Sequence, residues 1–238
     1  MKNLKLPLQV LIVILFFSFT INYLSAQTTI EVSGEIQNDT VWNADTVKVT
    51  GDISINPLVT LTIKPGVVVQ FQGPYEISVK GTLDAIGNSD SIILFTVKDT
   101  TGFSNHESDS GYWRGILYNG YPLGEIQGNT SDFEYCIFEY SKAIGEYPDW
   151  QGGALMIVWY DNININHCVF RNNLSNEAGG AIYATINACP EISNCLFEHN
   201  IAQWGGAIYI KQQGIADGTF IDNTFYNNLA LVMVEHSI

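Results

Sequence analysis

Gly179-Gly180-Ala181-Ile182, followed by Cys195-Leu196-Phe197-Glu198-His199-Asn200, decides the fold because it is written three times. Before it, Gly152-Gly153-Ala154-Leu155 leads to Cys168-Val169-Phe170-Arg171-Asn172-Asn173. After it, Gly205-Gly206-Ala207-Ile208 leads to Asn223-Thr224-Phe225-Tyr226-Asn227-Asn228. The glycine pairs step by 27 and 26 residues, the phenylalanines by 27 and 28. A fixed period in this range marks a repeat architecture, whose units bury their apolar faces only by stacking on one another.

Outward from the repeats, the first half follows a looser version of the same plan. Thr46-Val47-Lys48-Val49-Thr50-Gly51, Leu61-Thr62-Ile63-Lys64-Pro65-Gly66 and Ile77-Ser78-Val79-Lys80-Gly81 are alternating apolar runs, each closed by a glycine 15 residues after the last. Such runs between turn residues read as short strands. Each later period holds about three of them, the length of one coil of a parallel β-helix. Antiparallel hairpins would want Asn-Gly or Asp-Gly turns at short spacing. Only Asn119-Gly120 and Asp217-Gly218 qualify. The expectation is an all-β solenoid with three short strands per coil.

The N-terminus reads as a secretory signal over 1–26. Lys2 and Lys5 precede an apolar run from Leu6 to Phe19, and Leu24-Ser25-Ala26 offers a small-residue cleavage site. Residues 27–44 then form a lead or cap segment and 45–238 the β-helix, with no membrane span after signal removal. The period fails after Asn228, so the helix is expected to be truncated at its C-terminal end. The formal charge is −14 and moves to near −16 without the signal. That excludes nucleic acid and anionic membrane surfaces as partners, since both want clustered Lys and Arg.

Stacked coils bring equivalent positions to the inter-strand spacing of about 4.8 Å. Phe138, Phe170, Phe197 and Phe225 are expected to stack inside. Cys136, Cys168 and Cys195 lie two residues earlier and share the inward face. They read as buried structural thiols, with a disulfide or a metal site as the alternatives. Asn173, Asn200 and Asn228 read as an amide ladder at a left-handed corner, with a row of sugar-binding amides as the alternative. The Gly-Gly pairs mark a corner where a Cβ would meet the neighbouring coil.

With these motifs in hand, the GGAI starts and FxxN ends resemble the repeats of the polymorphic outer-membrane protein family. More broadly the chain is similar to right-handed parallel β-helix proteins of the pectin-lyase-like superfamily. Leu61–Phe71, Lys80–Gly87 and Trp113-Arg114-Gly115-Ile116 look like the leading coils of secreted β-helix proteins of Gram-negative bacteria. The resemblance implies a right-handed coil and a secreted or outer-surface location. It further implies adhesion in some members and polysaccharide cleavage or binding in others; fold alone does not carry function.

No catalytic constellation stands out. Lyases on this fold need acidic Ca²⁺ ligands with an Arg or Lys base, and hydrolases need paired carboxylates. The only arginines, Arg114 and Arg171, have no acids at repeated flanking positions. The acids lie scattered over turns, where opportunistic Ca²⁺ binding is the one cofactor possibility. The better clue is aromatic. Tyr147, Trp150, Trp159 and Trp204 fall at loops or corners, where ring faces stack on sugars. The expected function is non-enzymatic: a rigid face for adhesion to, or binding of, a polysaccharide or a host or cell-surface component. The alternatives are a polysaccharide lyase or glycoside hydrolase and a passive spacer of a larger surface protein.

Overall fold

Alternation in the sequence becomes alternation in burial. Val47, Val49, Leu61 and Ile63 are buried, while Lys48, Thr60 and Thr62 between them stay half exposed. The computed structural model describes residues 27–105, 108–120, 130–144, 151–160, 162–211 and 218–231. All regular structure within them is β.

The early coils hold β1 (Thr29–Ile36), β2 (Thr40–Trp42), β3 (Thr46–Ile55), β4 (Thr60–Ile63), β5 (Val68–Phe71), β6 (Ile77–Val79), β7 (Thr82–Ile86), β8 (Ile93–Val97) and β9 (Ile116–Asn119). The next coil holds β10 (Ser131–Glu134), β11 (Cys136–Glu139), β12 (Lys142–Ala143) and β13 (Leu155–Val158). Another follows as β14 (Ile163–Asn166), β15 (Val169–Arg171), β16 (Leu174–Ser175) and β17 (Ile182–Thr185). The last strands are β18 (Glu191–Ser193), β19 (Leu196–Glu198), β20 (Ile201–Ala202), β21 (Ile208–Lys211), β22 (Thr219–Ile221), β23 (Thr224–Tyr226) and β24 (Leu229–Ala230).

One face is the seven-stranded sheet β2-β4-β7-β10-β14-β18-β22. A second is β5-β8-β11-β15-β19-β23, and a third is β6-β9-β13-β17-β21. These two join through β3, whose first half pairs with β5 and whose second half pairs with β6. Strand β3 therefore turns a corner. The three strands expected per coil are present, and the later coils add a two-residue strand in the short sheet β12-β16-β20-β24. Register between coils is parallel, with Phe138 opposite Phe170, Phe170 opposite Phe197, and Phe197 opposite Phe225. The protein is a parallel β-helix.

The register stacks the rings. Centroids of Phe138, Phe170, Phe197 and Phe225 follow at 4.7, 4.9 and 5.0 Å, with nearly parallel planes. Phe95 adds a fifth ring at 4.8 Å from Phe138, and Trp113 lies between Phe95 and Phe71. Phe95 escaped the sequence reading because a 43-residue step, swollen by insertions, separates it from Phe138.

The corners are made by left-handed residues, and their place differs from expectation. The positive φ belongs to Tyr140, Asn172, His199 and Asn227, not to the ladder residues Ser141, Asn173, Asn200 and Asn228 that follow them. The left-handed residue turns the chain onto the next side of the coil, and the next side chain then points inward. Each inward Asn donates to a carbonyl one coil back: Asn173 to Phe138 at 3.0 Å, Asn200 to Phe170 at 2.9 Å, Asn228 to Phe197 at 2.8 Å. Its Oδ1 accepts the backbone N–H and side-chain amide of the preceding Asn, as Asn200 does from Asn173.

A second corner repeats this device with sulfur. Tyr135, His167, Asn194 and Asp222 are left-handed and precede Cys136, Cys168, Cys195 and Asn223. The thiols of Cys136, Cys168 and Cys195 reach the carbonyls of Ala85, Phe133 and Ile165, where Asn223 donates its amide to Ile192. The column is thus hydrogen-bonded as well as apolar. All four cysteines are free thiols. Burial pushes the Cys168 thiol well up; contact with Cys168 and then burial do the same for Cys195.

The Gly-Gly corner needs both residues for different reasons. Gly152, Gly179 and Gly205 have φ of 66°, 68° and 56°. Gly180, the second of its pair, has no room: a Cβ there would stand 2.0 Å from the Gly206 carbonyl oxygen.

Because an unmet buried donor or acceptor costs about 1–3 kcal/mol, Asn200→Leu should destabilise the protein by about 3 kcal/mol or more. It strands the Phe170 carbonyl and the Asn173 amides. Asn228→Leu, in the exposed last coil, should cost less than half as much. Chemical denaturation of both variants measures the difference.

Candidate functional site

Trp204 is the most solvent-exposed tryptophan among the described residues, at 54%. It sits immediately before the left-handed Gly205 and forms a parallel bridge with Ala178. Its backbone is pinned on both sides: its N–H donates to the Glu177 carbonyl at 2.8 Å, and its carbonyl accepts from Gly179 at 2.9 Å. Glu177 in turn accepts the Gln151 side-chain amide at 2.7 Å. The indole is therefore carried on rigid backbone.

Beyond Gly205, the half-buried Tyr209 lies over Tyr183 with centroids 6.0 Å apart and planes 3° from parallel. Met156, Ala178 and Tyr183 form a small cluster with Leu117, Val158 and Tyr209 on the outward side of β9, β13, β17 and β21. Met156 and Tyr183 are buried, so what this face offers solvent is its edge at Tyr209 and Trp204.

Trp159 occupies the far end of the same face, just after β13. It is 37% exposed, left-handed at φ 57°, and its N–H donates to the Ile186 carbonyl. Two coil steps separate the two tryptophans, with the Gly-Gly corner and a whole strand length between their positions in the coil. They do not converge on one pocket. Tyr147 and Trp150 lie outside the described residues. Tyr160, next in sequence to Trp159, is a core residue: it is buried and its hydroxyl donates to the Gly81 carbonyl.

Both arginines are engaged. Arg114 pairs with Asp52 at 3.0 Å and lies 3.7 Å from Glu76. Arg171 grips Glu139 through Nε and an Nη, both at 2.7 Å, and Glu139 also accepts from Thr96. Neither pairs with the carboxylates Asp84, Asp132, Glu134 and Glu191, which occupy outward positions of the seven-stranded sheet. Asp84 and Asp132 are direct neighbours across β7 and β10, with the Asp132 N–H 3.4 Å from the Asp84 carboxylate. Burial raises the Asp84 carboxyl, with the Asp132 charge adding to it against that N–H. Asn164 donates to Asp132 at 2.9 Å. Asp84, which the sequence reads as a turn acid, lies within β7, and register is what aligns it with Asp132. Among the described residues, no three His, Cys, Asp or Glu side chains are placed to hold a metal ion.

Sequence reasoning missed Lys142. Aligning Ser141-Lys142 with Asn173-Leu174, Asn200-Ile201 and Asn228-Leu229 would have exposed it, because one charge interrupts an apolar column. Lys142 is fully buried. Its Nζ donates to the Asn105 carbonyl at 3.0 Å and lies 4.7 and 5.4 Å from the ring centres of Tyr112 and Phe103. The 98–112 insertion is thereby fastened over the coil. Burial lowers the Lys142 pKa, with Asp109 opposing.

Two segments, residues 167–185 and 194–211, match the model of the Chlamydia polymorphic membrane protein repeat. They cover the Cys-x-Phe-x-x-Asn corners and the second and third Gly-Gly pairs. No curated protein and no solved structure matches the chain significantly. No helix among the described residues is long and apolar enough to cross a membrane.

A lowered lysine pKa means the folded protein holds that proton less tightly than the unfolded chain. The charged form therefore penalises folding, and the penalty is relieved as pH rises from the lowered value towards 10.5. Over that window wild-type stability should rise relative to Lys142→Met. Parallel thermal melts of the two proteins across pH 7 to about 10.5 check the sign.

Proposed function

We propose that this chain is a secreted or surface-displayed β-helix of a Gram-negative bacterium. It adheres, without catalysis, to a polysaccharide or another host or cell-surface component. The observation that carries the reading is Trp204, a large aromatic face held out on backbone that is hydrogen-bonded to the coil before it. Exposing a tryptophan forfeits burial energy, and a pre-organised ring loses little entropy on binding. Tyr209 extends the contact along the same coil. The match of two segments to a polymorphic membrane protein repeat supports the location.

A second reading rests on the Asp84–Asp132 pair. Neighbouring strands lie about 4.8 Å apart, and a carboxyl raised by burial beside a second carboxyl is a pairing that glycoside hydrolysis can use. Lyase chemistry with Arg114 as base has no such support, because Asp52 and Glu76 hold that side chain away from these acids.

Retention on immobilised plant, algal and host polysaccharides, assayed together with released reducing ends, separates the readings. Adhesion through Trp204 predicts retention without cleavage and at least a tenfold loss of affinity in Trp204→Ala, about 1.4 kcal/mol. New ends that vanish in Asp84→Asn would replace adhesion with hydrolysis. Neither signal would leave the spacer role.

A further inference from the structure

A small cleft opens on the outward side of the Gly-Gly corner, where the coils of β9 and β13 meet. Strand β6 precedes these two in their sheet and β17 follows them, so the cleft lies inside the stack of coils and not at an end. Glu76, Arg114 and Gln151 give it polar walls, and Leu117 and Met156 an apolar one. Leu117 and Met156 are register partners on β9 and β13. Gln151 is only 6% exposed, and its amide is held by donation to Glu177 at 2.7 Å. Arg114 is held from the other side by Asp52 at 3.0 Å. The cleft encloses about 20 Å³, where a water-sized group needs roughly 10–15 Å³. One oxygen-sized group fits.

The lining says which group that is. A hydroxyl both donates and accepts, and here Arg114 offers donors, ionised Glu76 offers acceptors and Gln151 offers both. A concave apolar wall with a few fixed polar groups is the usual make-up of a small-ligand site. Leu117 and Met156 supply that wall for the C–H bonds beside the hydroxyl. Charge decides against an acidic group. Asp52 and Glu76 flank Arg114, and Glu177 adds another carboxylate at Gln151, on a chain of formal charge −14. A carboxylate or sulfate brought here meets like charge, which is costly at an interface. From Met156 the outward column runs through Tyr183 to Tyr209, in the coil that carries Trp204. That coil is two steps on, roughly 10 Å. A chain of pyranose rings laid along the helix axis reaches both.

We propose, on the adhesion reading, that this cleft is a subsite for one hydroxyl of a neutral polysaccharide, and that it makes the protein select uncharged glycans over acidic ones. Retention of the purified chain on immobilised starch, β-glucan and galactan, set against polygalacturonate and alginate, tests it. At least one neutral polymer should be held about tenfold more tightly than either acidic one. Gln151→Leu, which removes the amide, and Leu117→Phe, which fills the cleft from β9, should each weaken that retention about threefold or more, with β-sheet circular dichroism kept. Should Gln151→Leu lose its fold along with the Glu177 hydrogen bond, Leu117→Phe decides alone, because it removes no hydrogen-bonding group. No retention on any polymer overturns the adhesion reading and the subsite with it. Retention that Trp204→Ala abolishes and Leu117→Phe leaves unchanged overturns the subsite alone, the result expected of a cleft that holds only a water molecule. Retention on the acidic polymers equal to that on the neutral ones overturns it as well.

Discussion

Parallel register between successive coils is the constraint from which the rest of this structure follows. Once Phe138, Phe170, Phe197 and Phe225 share a register, their rings must meet at the strand spacing, and they do so almost parallel. The same translation sets each inward Asn beneath the next and each inward Cys beneath the next. A coil therefore has little freedom to choose its neighbours' chemistry. Where a position changes, as at Lys142 in a column of Leu and Ile, an added piece of structure must compensate, and the 98–112 insertion supplies it.

Corners solve a different problem. A short strand must stop, turn onto the next face of the coil and still deliver its next side chain into a narrow interior. At both inward corners the solution is one left-handed residue followed by a side chain that donates back to a carbonyl one coil earlier. Asparagine does this with an amide and cysteine with a thiol. Asn223 taking the cysteine position in the last coil shows that the two are variants of one device. This explains why the left-handed positions tolerate Tyr, His and Asp: the turn is fixed by the following residue's hydrogen bonds, and the left-handed side chain itself points away.

The fold was legible in the sequence because a solenoid writes its geometry as a period. Glycine pairs at 152, 179 and 205 and phenylalanines at 170, 197 and 225 repeat at nearly the same interval, and only stacking units produce that. The assignment of the left-handed φ failed by one residue, since Asn173 and its predecessor Asn172 both have the chemistry for it. Surface features were less legible. Outward positions are free to vary, so Asp84 and Asp132, 48 residues apart, become neighbours only through register. Trp204 could be read as exposed from its glycine neighbour, whereas Tyr160 has the same residue class and a buried environment.

The central claim is the parallel register, and spin-label distances along one outward column test it most directly. Ile137, Val169, Leu196 and Thr224 occupy equivalent positions on β11, β15, β19 and β23. Labels at Ile137 and Leu196 should lie near 10 Å apart and labels at Ile137 and Thr224 near 14 Å, growing by about 4.8 Å per coil. Distances that fail to grow in equal steps, or that shorten between the outer pair, would contradict a parallel β-helix and every column built on it.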